Sequence, residues 1–170
     1  MKDEKLSNFQ WTALVVLRML IGWHFLYEGL AKLLKGNWTA YGFLMESKWV
    51  FAKLFHWMAE NDTVISIVNT MNIWGLMAVG LGLILGVLTR IAAGAGILLI
   101  LLYYVCNPPF VGLFYSIPME GHYIFVNKNL VEVAALLVLI AIPTERVAGL
   151  DRILVKLFKK SSGPPKESTP

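Results

Sequence analysis

Four long apolar runs constrain this chain more than any other feature, because a helix crossing a bilayer needs about 20 mainly apolar residues. The first covers about 11–34 and is interrupted by Arg18, His24, Glu28 and Lys32. The second covers about 64–88 and has no ionised residue after Asp62. The third, about 91–106, starts after Arg90 and stops at Asn107-Pro108-Pro109, since proline lacks a donor and clashes with the preceding turn. The fourth, about 125–142, is closed by Pro143. In a chain of 170 residues, 57% hydrophobic and only 15% charged, such runs leave too little polar surface for a soluble globule. The reading is an all-α integral membrane protein, a four-transmembrane-helix bundle over residues 11–143 with the lipid bilayer as solvent.

The remaining composition removes other classes. A single cysteine, Cys106, excludes a disulfide scaffold and a multi-cysteine zinc site. The net charge of +4 does not point to nucleic acid, because the basic residues lie at chain ends and short loops without the interleaved aromatics of a stacking groove. The first run is a span and not a cleavable signal: its leader is of mixed charge, it is too long, and no small-residue cleavage pattern follows.

Lysine and arginine set the expected topology. Lys2, Lys5, Arg90, Arg146, Arg152, Lys156, Lys159, Lys160 and Lys166 fall on one side, and Lys35, Lys48, Lys53 and Lys128 on the other. This asymmetry puts both termini, including residues 1–10, in the cytoplasm. The connections 35–63 and 107–124 then face outward. Within 38–60, Trp49, Phe51, Leu54, Phe55, Trp57 and Met58 alternate with Glu46, Lys48, Lys53, His56 and Glu60. That is too charged to span and too apolar for a free loop, so an interfacial helix or re-entrant lid is expected, with a fifth span as the alternative. The second connection is expected to fold over the bundle mouth with Glu120 and His122. Val147, Leu150, Leu154 and Leu157 recur beside basic residues over 144–160, the pattern of an amphipathic helix on the inner leaflet, and 161–170 reads as a disordered tail.

Small residues at four-residue spacing, Ala78, Gly82 and Gly86 with Ala92 and Gly96, read as packing faces, because lipid supplies no hydrophobic drive between helices.

Ionisable groups inside a membrane are costly and therefore the first candidates for function. At 100° per residue, Arg18, His24, Glu28 and Lys32 share an arc of about 120°, bordered by Gly22 and Gly29. Glu28–Lys32 and Lys128–Glu132 are i,i+4 pairs. Asn69 and Asn72 near the start of the second run, Tyr103 and Tyr104 near the end of the third, and Lys128 and Glu132 opening the fourth lie at the same level. Together with His122 they are expected to surround one outward pocket. Glu28, Lys32, His24 and Glu132 are the candidate catalytic groups. Arg18, Asn69, Asn72, Tyr103, Tyr104, His122 and Lys128 are the candidate substrate- or quinone-binding groups, although Arg18 belongs nearer the cytoplasmic side.

Three readings fit this ladder: structural ion pairs that fix helix register, a pocket for a small anion or quinone head group with proton donors and acceptors, or a metal site. The last is the weakest, since His24 and Glu28 at i,i+4 have no HExxH or His-rich partner, and no metal is expected. No CxxC pair, nucleotide-binding glycine loop or haem attachment motif occurs, so any electron carrier comes from outside the chain.

The run Arg18-Met-Leu-Ile-Gly22-Trp-His-Phe-Leu-Tyr-Glu28-Gly29-Leu-Ala-Lys32-Leu resembles the first-helix signature of the DoxX/DoxD-like membrane proteins. Trp38-Thr39-Ala40, Gly42-Phe43-Leu44 and Ser47 resemble the DoxD-type subgroup, and Gly80 to Arg90 and Gly149-Leu150-Asp151-Arg152 are further matches. The resemblance implies a four-helix membrane bundle, in some members a subunit of thiosulfate:quinone oxidoreductase. Such a subunit acts with a DoxA-like polypeptide in the bacterial inner membrane, using quinone as electron acceptor and no covalently bound cofactor. A DoxA-like or other oxidoreductase subunit and further copies of the same chain are the partners it implies. The alternative is a non-catalytic scaffold or lipid-binding subunit. A transporter ranks lower, because no internal repeat or paired broken helices are seen.

Overall fold

The structure, a computed structural model, describes residues 6–116 and 124–150. Among these residues the fold is all-helical: α1 (Asn8–Leu34), α2 (Tyr41–Met45), α3 (Ala52–Glu60), α4 (Asp62–Leu85), α5 (Thr89–Cys106) and α6 (Lys128–Ala141), then a 3-10 turn at Thr144–Arg146. Helices α1, α4 and α5 are each long and apolar enough to cross a membrane, and the chain is an integral membrane protein.

Local chemistry sets the helix limits. Helix α1 starts three residues before its apolar run because Ser7 and Gln10 form a capping box: Gln10 N–H donates to Ser7 Oγ at 3.3 Å and Ser7 N–H to Gln10 Oε1 at 2.7 Å. Asn61 caps α4 by accepting from Val64 N–H at 3.1 Å. Helix α6 is shorter than the apolar run that contains it. Asn127 accepts from Leu130 N–H, which fixes its start, and Ile142 is extended because it precedes Pro143. Its 14 residues rise about 21 Å, against about 40 Å for α1.

Helix α1 packs along α4, α4 returns as α5 through a tight turn, and α5 packs along α6. Contact between α1 and α6 is sparse. The core between these helices contains Phe25, Leu76, Val79, Leu83, Ala93, Ile100, Leu136 and Leu139. Close approach of backbones holds α1 to α4. A Cβ on Gly80 would lie 2.5 Å from Leu26 N and 2.7 Å from Gly22 O, and one on Gly29 would lie 3.0 Å from Ile73 O. The small-residue face expected at Gly82 and Gly86 needs correction. Gly86 is the left-handed C-cap of α4, at φ 65°, and a Cβ there would meet Gly149 Cα at 2.7 Å. Gly82 does approach Ala92 across the α4–α5 hairpin.

Segment 38–60 is two short helices broken at residues 46–51, and the nine residues of α3 rise only about 14 Å, too short to span. Phe55 and Ala59 of α3 bury with Leu44 of α2, Ala40 and Cys106 in a second core against α4 and α5. Leu54 and Trp57 point outward. Residues 107–116 are stapled to this unit. Ser116 N–H donates to Glu46 Oε2 at 3.1 Å and Lys48 donates to Phe114 O, while within the segment the Tyr115 hydroxyl donates to Pro108 O at 2.9 Å. Burial pushes the Tyr115 hydroxyl up to about 12, so it keeps the proton it donates. The Ser116 amide holds the Glu46 carboxyl below its ordinary range.

At the opposite end Arg18, buried, donates to Thr144 Oγ1 at 3.3 Å and to Ala148 O, while Leu150 N–H donates to Leu85 O at 3.0 Å. The segment after α6 therefore docks beneath the bundle, beside the N-terminal half of α1. Residues 144–150 form a 3-10 turn and bends where the start of an α-helix was expected. The rest of the expected amphipathic helix, the tail 161–170, residues 1–5, Glu120 and His122 lie outside the described residues.

Candidate functional site

The polar ladder of α1 opens into a cavity of about 390 Å³ at the end of the bundle covered by α2 and residues 107–109. His24, Glu28, Lys32, Asn72, Tyr103, Lys128 and Glu132 all contribute to its wall, and Phe25, Leu76 and Ile100 form its apolar floor. Helical spacing explains the α1 members: three residues four apart stack on one face.

Two polar groups line this space, two turns apart along α1. At the first, Lys32 Nζ donates to Asn72 Oδ1 at 3.1 Å, and Asn72 Nδ2 donates to the Tyr103 hydroxyl at 2.5 Å. The ammonium also lies 3.7 Å from Glu28 Oε2, and 5.0 Å and 5.4 Å from the ring centres of Trp38 and Tyr103. A carboxylate, an amide oxygen and two ring faces together compensate a cation that has lost much of its water. Tyr103 Oη accepts from Asn72, which leaves its own proton to donate. Nearby, Asn107 Nδ2 donates to Phe43 O at 2.9 Å, which fixes the amide orientation, and the buried Asn107 Oδ1 has no donor among the described residues.

At the second, His24 Nδ1 lies 2.9 Å from Glu132 Oε1. Glu132 is largely buried and His24 is half exposed. At this distance an imidazole N–H can donate to the carboxylate.

Three of the expected binding residues point elsewhere. Asn69 accepts from Ala40 N–H at 2.8 Å and donates to Thr39 Oγ1 at 3.2 Å, so it anchors the start of α2. The Tyr104 hydroxyl donates to Phe125 O at 2.7 Å and fastens the approach to α6. Arg18 lies beneath the bundle with Thr144 and Ala148, as its position near the other end of α1 requires. Trp38, Thr39, Phe43 and Asn107 were not singled out as site residues, yet they line the cavity. The Trp38-Thr39-Ala40 signature was the available signal, but nothing local says that this turn folds back over Lys32. Among the described residues no group of three or more His, Cys, Asp or Glu side chains is placed to hold a metal.

The family model for DoxX matches residues 13–106, more than half of the chain and all of α4 and α5 with most of α1. The chain belongs to the DoxX family. The match contains the Lys32–Asn72–Tyr103 chain and His24, whereas Glu132 and Lys128 of α6 lie beyond it. No curated protein and no solved structure matches the chain. For this DoxX protein the site therefore rests on its own geometry.

Proposed function

We propose that this DoxX protein is the membrane subunit of a quinone-linked oxidoreductase, with a quinone head group seated in the cavity. The observation that carries this reading is a cavity lined by two hydrogen-bonding groups, Lys32–Asn72–Tyr103 and His24–Glu132, together with the apolar Phe25, Leu76 and Ile100. His24 and Lys32 are eight residues apart on α1, an axial rise of about 12 Å. A flat ring with an oxygen at each end suits such a space: Lys32 and Tyr103 donate at one pole and the His24–Glu132 pair at the other. Quinone, when bound, supplies the acceptor for two electrons and two protons. His24 and Glu132 hold and pass a proton, Lys32 and Tyr103 orient the other oxygen, and Phe25, Leu76 and Ile100 limit water. Thiosulfate fits as the donor by balance: two thiosulfates give up two electrons on joining as tetrathionate, and the protons are drawn through the site. A DoxA-like or other subunit is the partner that would deliver those electrons.

In this reading α6 completes a four-helix bundle as a short fourth span, α2 and α3 lie at the outer interface, and both termini face the cytoplasm of a bacterial inner membrane. The excess of lysine and arginine at the Arg18 end supports that orientation. The test is reconstitution in nanodiscs. A menaquinone analogue titrated against tryptophan fluorescence is expected to quench Trp38, and thiosulfate with a candidate partner is expected to reduce the bound quinone. No saturable quenching, with or without partner, overturns the proposal.

A further inference from the structure

The His24–Glu132 pair occupies an unusual place in the bundle. On α1, His24 lies about 40° around the helix from Leu20, which is 63% exposed, and about 60° from Ile21, which is buried. It therefore stands at the border between the lipid-facing and core-facing sides. Across from it, Glu132 adjoins Val131, which is 62% exposed. Helices α1 and α6 touch little elsewhere, each being packed mainly against another partner. A polar pair thus bridges the loosest seam of the bundle at the edge of the cavity. A half-exposed imidazole beside acyl chains is costly to maintain as packing alone, and the same seam closed by leucines would be cheaper.

We infer that the α1/α6 seam is a lateral portal from the bilayer into the cavity. The ligand class it admits is an amphiphile with a polar ring and a linear apolar tail. The ring takes its hydrogen bonds inside, and the tail stays in the seam beside Leu20 and Val131. The His24–Glu132 bond parts to let the ring pass and re-forms on its oxygen. A tail outside the cavity also accounts for the volume, since about 390 Å³ suits a head group and not a long isoprenoid chain. At the opposite end Arg18 is hydrogen-bonded to Thr144 and Ala148. The inference rests on the quinone reading only for the identity of the ring.

Photolabelling of the intact protein in nanodiscs tests it. Two probes carry the same ten-carbon tail with a terminal diazirine, one on a benzoquinone ring and one on a redox-inert dimethoxybenzene ring. Expected is labelling at residues 20–27 and 131–138 by both probes, lost on adding excess untagged tailed quinone. Protectable label confined to residues 38–51 or 110–116 overturns the portal and leaves the quinone reading standing. No protectable label from either probe also overturns the portal. Protectable seam label without quinone reduction in the presence of any donor upholds the portal and overturns the oxidoreductase reading.

Discussion

His24 Nδ1 and Glu132 Oε1 are 2.9 Å apart although 108 residues separate them in the chain. This bond joins the first long helix to the last and places a proton-holding pair at the rim of the cavity. Glu132→Gln keeps a hydrogen-bonding side chain and removes the acid. Polar pairs between membrane helices contribute modestly to stability, about 1 kcal/mol, and the glutamine retains a hydrogen bond to His24. The expected result is a nearly unchanged melting temperature with quinone reduction lowered about 100-fold. Parallel thermal melts and turnover in nanodiscs check it, and equal losses in both would assign the pair a structural role.

Lys32 and Glu28 are best removed together, because a lone charge left in the wall would destabilise the bundle for trivial reasons. The double variant Glu28→Gln, Lys32→Met is expected to fold and to lose quinone binding about tenfold or more, as Lys32 anchors one pole. Retention of full binding and function would favour ion pairs that only fix register.

Gly80 separates packing from site chemistry. Gly80→Val places side-chain atoms where the backbone of α1 runs, 2.5 Å from Leu26 N, so the α1–α4 pair must part. The expected cost is about 3 kcal/mol or more, seen as a large fall in melting temperature in mild detergent. Gly42→Ala on α2 is the matched control: nothing lies within 4 Å of the added methyl, and stability is expected to be unchanged or about 0.5 kcal/mol higher.

The Glu46–Ser116 bond should respond to acid. The Ser116 amide lowers the Glu46 pKa from its ordinary 4.5, so the ionised form is favoured in the folded protein. This tether is fully present above about 4.5 and is lost as pH falls through the lowered folded value. Amide exchange at Ser116 is expected to rise below that point, and Glu46→Gln is expected to flatten the dependence. An unchanged pH profile in the Gln variant would show that another group holds the loop.

The sequence alone determined the membrane class, the positions of α1, α4 and α5, and the stacking of His24, Glu28 and Lys32 on one face of α1. These follow from local rules: the apolar length a bilayer demands, proline and asparagine at helix limits, and a fixed 100° per residue. Tertiary structure decided what those groups meet. It turned Glu132 toward His24, brought Asn72 to Lys32 and Tyr103, folded Trp38 over the ammonium, and committed Asn69 and Tyr104 to anchoring backbone. None of this is local, because which side chains meet depends on how closely and at what register α1 crosses α4. That crossing is set by Gly22 and Gly80, whose missing side chains let two backbones approach in a solvent that gives helices no other reason to do so.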